Sequence, residues 1–150
     1  MKRMIKEFDQ WNKKKKLLNQ RENHREIFFH EREVWWCSIG VNLGVEADGK
    51  HEHFERPVLI LRKFNGEMFW GLPLTSKEKV GPHYLRIQHD RGVSWVCLSQ
   101  IRTISTKRIL RKIGMVPIED FTNVCERVGE YITIGPRISA GSSEAEATNN

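Results

Sequence analysis

Two short stretches of the sequence carry side chains suited to phosphate chemistry. Arg56 stands between a long polar loop and an apolar strand. Thr75 and Ser76 end a neighbouring apolar segment, and Lys77 and Lys79 follow them. A guanidinium can hold two phosphate oxygens at once, and a hydroxyl supplies a further hydrogen bond. These residue types would form a phosphate site if the fold brought the two stretches together.

A hairpin between the two stretches would bring them together. Asn65-Gly66 supplies the positive φ angles of a two-residue turn. With that turn at the centre, Phe64 faces Glu67 and Arg56 comes opposite Thr75. The pairing predicts a phosphate site at the open end of the hairpin. The alternative is that Arg56 is a surface charge paired with the acid before it, and that Thr75 is an ordinary strand end.

The segment His51-Glu52-His53 puts two imidazoles on one side of an extended chain. They could hold a metal, make a pH-sensitive phosphate contact, or lie in a solvated loop. No paired Cys/His cluster accompanies them, so we expect no metal site. The sequence also has no glycine-rich nucleotide motif, HExxH or GxSxG, which leaves nucleotide-dependent, zincin and serine-hydrolase activities without local support.

The charge of the chain is concentrated at its N-terminus. The 150 residues carry a formal net charge of +6, and residues 1–30 hold nine Lys or Arg against four Asp or Glu. Attraction to phosphate is therefore expected mainly from this N-terminal arm. No apolar run approaches the roughly 20 residues of a spanning helix, and no apolar core of a secretory signal follows the first charges. We expect a cytoplasmic protein with no membrane partner.

The same arm has a helical pattern of apolar residues. This pattern predicts an amphipathic helix from Lys2 to about Gln20. Its basic side could be a solvated face, a supplementary contact to RNA phosphates or a membrane-surface helix. The apolar positions are Met4, Ile5, Phe8, Trp11, Leu17 and Leu18.

The remaining sequence predicts a small β structure that positions the phosphate-binding residues. Strand-like segments occur at 34–39, 58–61, 68–72, 84–88, 93–98, 101–104 and 111–116. Their close spacing leaves no room for crossover helices and predicts a small barrel or bent antiparallel sheet. Ser105 can cap a helical turn over 106–110, and adjacent Trp35 and Trp36 must point to opposite faces.

A C-terminal helix is expected to lie on this sheet. It begins after Pro117 and stops at Gly135-Pro136, and residues 140–150 have the composition of a mobile tail. The apolar side of the helix comprises Ile118, Phe121, Val124, Val128 and Ile132. The three cysteines, Cys37, Cys97 and Cys125, are odd in number and far apart, which predicts buried, reduced thiols.

Five short motifs follow one another between residues 44 and 109. They are Gly44-Val45-Glu46-Ala47-Asp48-Gly49, Arg56-Pro57-Val58-Leu59-Ile60-Leu61, Pro73-Leu74-Thr75-Ser76, Leu98-Ser99-Gln100-Ile101-Arg102-Thr103-Ile104 and Lys107-Arg108-Ile109. In this order and spacing, the sequence from about Glu33 to Ile132 resembles the MazF/PemK family of toxins.

The resemblance implies a mainly β fold, a small SH3-like barrel of the MazF/PemK/CcdB type with a C-terminal helix. The N-terminal amphipathic helix is an addition to that barrel. The expected organisation is a basic helical arm at 1–30, a barrel domain at 31–134 and a flexible tail at 135–150.

The resemblance also implies an activity, a set of partners and site residues. The expected protein is a homodimer that a cognate antitoxin neutralises, and it cleaves single-stranded RNA at specific sequences without a metal or other cofactor. The 2′-hydroxyl attacks the adjacent phosphate and leaves a 2′,3′-cyclic phosphate. Arg56 and Thr75 match the catalytic positions. The expected RNA-binding residues are Asn42, Glu46, His51, His53, Ser76, Lys77, Lys79, Ser99 and Gln100.

One departure from the family leaves other functions open. Several relatives carry an acid directly before the glutamine at position 100, and this chain has Ser99. Glu46, His51 or His53 could take over proton transfer. The alternatives are a gyrase-directed, CcdB-like toxin acting on a DNA-bound target, an RNA binder without catalysis, and an adaptor that binds nucleic acid through its basic arm.

Overall fold

Seven strands and two α-helices form in the computed structural model of the chain, which describes residues 5–22 and 27–133. The predictions for Lys2, Met4, Gly135-Pro136 and the tail lie outside the described residues. The elements are α1 (Phe8–Asn19), β1 (Glu33–Ser38), β2 (Glu55–Lys63), β3 (Met68–Thr75), β4 (Tyr84–His89), β5 (Gly92–Cys97), β6 (Arg102–Ser105), β7 (Ile109–Met115) and α2 (Ile118–Ile132).

The six strand pairs in the described part of the chain are antiparallel. The sheet order is β4-β5-β3-β2-β1-β7, and β6 pairs with β3 beside this path. One edge of the long strand β3 pairs with β2, and its other edge pairs with two different strands in turn. Its first half pairs with β6, and its last residues, Leu74 and Thr75, pair with β5. This exchange of partners bends the sheet and confirms the predicted small mainly β barrel with helices at both ends of the chain.

The turn between β2 and β3 differs from the prediction. The backbone N–H of Phe64 donates to the carbonyl of Met68 at 3.2 Å, so these two residues face each other across the loop. Three residues, Asn65-Gly66-Glu67, therefore connect the strands, and the predicted two-residue turn is wrong. The side chain of Asn65 stabilises this wider loop by accepting from the N–H of Glu67 at 2.8 Å.

A β-bulge in β2 compensates for the extra loop residue. The strand pairs Arg62 with Trp70 and Ile60 with Gly71, so Leu61 is left without a partner across the ladder. Beyond this bulge the register agrees again with the one that a two-residue turn predicts. Although the predicted turn is wrong, the predicted alignment of Arg56 with Thr75 at the open end of the hairpin is therefore correct.

The helix α2 lies against the sheet as expected. Pro117 precedes its first turn, where Glu119 and Asp120 lie near the positive end of the helix dipole. Val124 and Val128 are buried in a core cluster with residues of β1 to β5. The predicted apolar side is too wide, because Ile118 and Ile132, the first and last residues of the helix, are exposed.

The helix α1 packs on the connection between β1 and β2. Trp11 and Leu18 are buried, and the Trp11 ring lies 5.5 Å from the ring of Phe54. The described helix begins only at Phe8, and Phe8 and Leu17 are exposed, as is Ile5 before it. The predicted apolar face is thus wrong at these positions, because only one narrow side of the helix meets the barrel.

The Ser105 cap and one of the three cysteines agree with the sequence predictions. The Ser105 side chain accepts from the N–H of Lys107 at 3.3 Å and caps a 3-10 turn, Thr106–Arg108, that is shorter than predicted. Cys37 is buried and Cys97 is partly buried, whereas Cys125 is exposed, so the expectation of buried thiols is wrong for Cys125. No helix within the described ranges is long and apolar enough to cross a membrane.

Candidate active site

Arg56 and Thr75 line one cavity of about 440 Å³ at the open end of the β2–β3 hairpin. The two strands pair Val58 with Pro73, two residues further into the hairpin from each of them. The structure thus confirms that the fold brings these two predicted residues together. The polar residues that share the cavity with them include Lys50, His51, Ser76, His89, Arg91 and Ser94.

The guanidinium of Arg56 is fixed by two backbone carbonyls. Nε donates to the carbonyl of Asp48 at 2.6 Å, and Nη1 donates to the carbonyl of Leu74 at 3.1 Å. The backbone of Arg56 is paired with Cys37 of the inner strand β1. Nη2 makes no hydrogen bond to any residue in the described ranges. That edge of the guanidinium keeps its N–H groups for an anionic ligand.

Arg56 is not paired with the acid before it. The Glu55 carboxylate forms two hydrogen bonds with Arg111, at 2.8 and 3.0 Å. The bonds from Arg111 hold the pKa of Glu55 below its usual value of 4.5, against the opposing effect of burial. The Arg111 guanidinium also lies over the Trp36 ring, 4.9 Å from its centre. The alternative of an Arg56–Glu55 surface pair is therefore wrong.

Thr75 is half-buried at the last position of β3. Its backbone is paired with Trp95 of β5, and its Oγ1 accepts from the N–H of Lys77 at 3.3 Å. Because Oγ1 acts as an acceptor there, its hydroxyl proton remains available to a ligand oxygen. Ser76 lines the same cavity, whereas Lys77 and Lys79 are exposed outside its lining.

Four of the predicted RNA-binding residues lie elsewhere. Asn42, Glu46, Ser99 and Gln100 line a second cavity of about 580 Å³, whose lining includes neither Arg56 nor Thr75. The Gln100 amide holds the β1–β2 loop: its Oε1 accepts from the N–H of Ala47 at 2.6 Å, and its Nε2 donates to the carbonyl of Val45 at 3.0 Å. The structure thus gives Gln100 a role in shaping the loop.

The two predicted loop histidines separate. His51 lines the Arg56 cavity and has a positive φ of 64°. His53 faces α1 instead, with its Nδ1 3.2 Å from Nζ of Lys14, and it is not part of the cavity lining. Within residues 5–22 and 27–133, no three His, Cys, Asp or Glu side chains are grouped to hold a metal ion.

The sequence did not indicate that His89 and Ser94 belong to this site. The N–H of Arg91 donates to Nδ1 of His89 at 3.3 Å, so Nε2 carries the proton and donates to Oγ of Ser94 at 2.9 Å. Burial lowers the pKa of His89 from its usual 6.5, while nearby Asp90 raises it. The β4–β5 turn is visible in the sequence, but only the pairing of β5 with β3 brings it beside Thr75.

Known proteins resemble this chain in both sequence and fold. A family model described as "PemK-like, MazF-like toxin of type II toxin-antitoxin system" matches residues 30–132. The chain belongs to this family. The match includes all seven strands and α2, and it leaves α1 outside. No curated protein matches the chain significantly by sequence.

Solved structures of MazF proteins share the fold of this MazF-like toxin. Crystalline MazF (Form-I) from Deinococcus radiodurans is 18% identical, with a TM-score of 0.57 over 69% of this chain and 96% of that one. The MazE-MazF (Form-II) structure from the same organism is 19% identical, with a TM-score of 0.55 over 70% and 95% of the chains. A mycobacterial endoribonuclease in complex with its cognate antitoxin is 14% identical, with a TM-score of 0.51 over 67% and 90%.

Proposed function

We propose that this MazF-like toxin is an endoribonuclease that cleaves single-stranded RNA at specific sequences without a metal. The observation that supports this proposal most directly is the shared cavity of Arg56 and Thr75. In it a fixed guanidinium lies beside a hydroxyl, and one edge of the guanidinium makes no hydrogen bond within the described residues. Two such donors suit a phosphate diester better than an uncharged ligand. The family membership of the chain supports the same conclusion.

The chemistry requires charge stabilisation at the phosphorus. The 2′-oxygen forms a bond to the adjacent phosphorus, and the bond from phosphorus to the 5′-oxygen breaks. The leaving 5′-oxygen takes a proton from water, so a 2′,3′-cyclic phosphate and a 5′-hydroxyl remain. Negative charge increases on the non-bridging oxygens in the transition state, and preorganised donors stabilise it. Arg56 supplies a positive charge beside these oxygens, and the Thr75 hydroxyl donates a hydrogen bond to one of them. Arg56 is not the proton donor, because a guanidinium stays protonated in proteins.

A base must accept the proton of the 2′-hydroxyl, and we assign this step to His51. Its imidazole lines the cavity and makes no hydrogen bond to another described residue, so either nitrogen can receive a proton. Both nitrogens of His89 already have partners in Arg91 and Ser94. His89 therefore suits the shaping of the cavity better than proton transfer.

The RNA chain is proposed to extend from this cavity along its basic border. Lys50, Ser76 and Arg91 line the cavity, and Lys77 and Lys79 are exposed close to it in sequence. These cations would neutralise the flanking phosphates, so binding weakens as salt increases. The solved relatives in complex with antitoxins support a cognate antitoxin for this toxin, and we propose that it acts on a homodimer.

The test is cleavage of mixed-sequence RNA by the purified protein in excess EDTA, with product ends identified by mass spectrometry. The proposal predicts cyclic-phosphate ends and a loss of at least about a hundredfold in kcat for Arg56→Ala. The matched control is Arg62→Ala, since Arg62 is an exposed arginine of the same strand. Intact RNA after prolonged incubation of folded, antitoxin-free protein would overturn the proposal and direct attention to gyrase and to non-catalytic RNA binding.

A further inference from the structure

A lysine that precedes α1 is bonded to the loop that holds the catalytic arginine. Nζ of Lys6 lies 2.5 Å from the carbonyl oxygen of Asn42, 3.0 Å from that of Gly44 and 3.0 Å from Oδ2 of Asp48. An ammonium has three N–H groups, and here each has an oxygen acceptor. Lys6 lies outside residues 30–132, the range that matches the toxin family.

Asp48 connects this ammonium to Arg56. Its Oδ1 accepts from the backbone N–H of Asn42 at 2.6 Å, and its Oδ2 faces Lys6. Its own carbonyl oxygen accepts from Nε of Arg56 at 2.6 Å. The carboxylate therefore closes the 42–48 loop, and the carbonyl of the same residue orients the guanidinium.

The position of Lys6 is fixed by the packing of α1. The ring of Trp11 lies against Gly40, where a Cβ atom would come within 2.1 Å of it. At the other end of the helix, Nζ of Lys107 donates to the carbonyl of Asn19 at 2.7 Å, and Arg21 donates back to the carbonyl of Lys107 at 3.0 Å. These contacts hold α1 on the barrel and thereby place Lys6, which lies just before the helix, beside the loop.

We propose that Lys6 is a positioning residue for Arg56, acting through Asp48. The proposal rests on the proposed nuclease function. Without the ammonium, two carbonyls and a carboxylate lose their common donor, and the loop no longer holds the Asp48 carbonyl beside Nε. The guanidinium then rotates more freely, and its unbonded edge is aimed less well at the phosphate. Small misplacements of a catalytic group reduce rates strongly.

Direct binding of RNA by Lys6 is the competing role, and the geometry argues against it. All three N–H groups are used within the protein, and the side chain is only 22% exposed. Lys13 is a contrasting case, because it lies exposed on α1. A lysine that contacts substrate would chiefly affect KM, whereas a positioning lysine affects kcat.

The test compares Lys6→Met, Lys6→Arg and the matched control Lys13→Met in steady-state cleavage of one RNA substrate. We expect Lys6→Met to lower kcat between about tenfold and a hundredfold with KM within about twofold of wild type. Lys6→Arg keeps the charge and its donors, and it should recover most of kcat. Lys13→Met should retain the wild-type kcat. Equal kcat values for the two methionine variants, or a change in KM alone, would overturn the proposal.

A second readout does not depend on RNA cleavage. The Nε–H of Arg56 can be followed by ¹⁵N NMR, and its hydrogen bond to Asp48 predicts slow exchange with water in the wild type and in Lys13→Met. Exchange should accelerate at least about tenfold in Lys6→Met, and in Asp48→Asn if the first variant folds poorly. Unchanged exchange would overturn the positioning role. If the wild type cleaves no RNA while exchange responds as expected, the nuclease proposal fails and the link between Lys6 and Arg56 stands.

Discussion

Nη1 of Arg56 donates to the carbonyl oxygen of Leu74 at 3.1 Å, so the guanidinium is bonded to the residue directly before Thr75. The hydrogen bond joins the open ends of two neighbouring strands. It makes the distance between guanidinium and hydroxyl a property of the sheet, whereas the angle of the guanidinium also depends on Asp48 in the loop. Arg56 of the proposed catalytic pair is thus held by one bond to the sheet, at Leu74, and by one bond to the loop, at Asp48. The loop bond can be weakened without disturbing the sheet.

Removal of the Thr75 hydroxyl should impair cleavage but not folding. We expect Thr75→Ala to lower kcat by about a hundredfold, the effect of losing one donor to a transition-state oxygen. Thr75→Ser keeps the donor and should stay within about tenfold of wild type. The control is Thr103→Ala, since Thr103 is exposed on β6. If Thr75→Ala cleaved RNA with the wild-type rate constant in single-turnover assays, a catalytic role for this hydroxyl would be excluded.

Stability should depend on the ionisation of His89. Burial keeps the pKa of His89 below its usual 6.5, so the unfolded chain binds more protons than the folded one between the lowered value and 6.5. The contribution of this residue is therefore complete above pH 6.5 and decreases as the pH falls through that window. Urea unfolding at pH 5 and pH 8 should give a smaller difference in unfolding free energy for His89→Gln than for wild type. An equal pH dependence in both proteins would contradict the prediction.

The Gln100 amide should protect the β1–β2 loop from opening. Gln100→Ala removes two hydrogen bonds to Val45 and Ala47, at about 1 kcal/mol each. Hydrogen exchange at the Ala47 amide should accelerate, and the free energy of unfolding should fall by about 2 kcal/mol. Gln88→Ala is the control, because that side chain is exposed on β4. Unaltered exchange at Ala47 would mean that the loop holds its shape without Gln100.

A methyl group at position 40 should displace α1. Gly40 has a φ of +84°, and an added Cβ would overlap the Trp11 ring. Gly44 is the matched control, since its φ is +52° and no atom of the described part of the chain lies within 4 Å of an added Cβ. Gly44→Ala should cost about 1 to 2 kcal/mol of backbone strain. Gly40→Ala should cost more, and it should red-shift the Trp11 fluorescence and expose α1 to proteases. Equal effects of the two variants would show that Trp11 is not seated on Gly40.

Local patterns in the sequence predicted most of the β structure and the proximity of Arg56 and Thr75, the proposed catalytic pair. Alternation of apolar residues located the strands, and Ser105 was identified as a cap because capping depends on neighbours in the chain. Arg56 and Thr75 were placed opposite each other by counting along a hairpin. That count succeeded because the bulge at Leu61 offsets the third loop residue, a compensation that depends on the twist and packing of the sheet.

Local sequence patterns did not predict the contacts between distant parts of the chain. Whether Ile118 and Cys125 are buried depends on where α2 crosses the sheet, and helical periodicity does not contain that information. His89 and Ser94 reach the cavity only because β5 pairs with the end of β3. The engagement of Gln100 with the loop likewise needs the three-dimensional path of the β1–β2 connection.

The sequence by itself determined the strand and helix types, the family resemblance and the residues able to bind phosphate, because these depend on residue type and short spacing. The tertiary structure decided how those residues are held. It paired Glu55 with Arg111 and left one edge of Arg56 without a hydrogen bond among residues 5–22 and 27–133. It also brought Lys6 to Asp48 across 42 positions of sequence. Such pairs form only when a helix and a loop pack together, and the packing energy of the whole surface selects them.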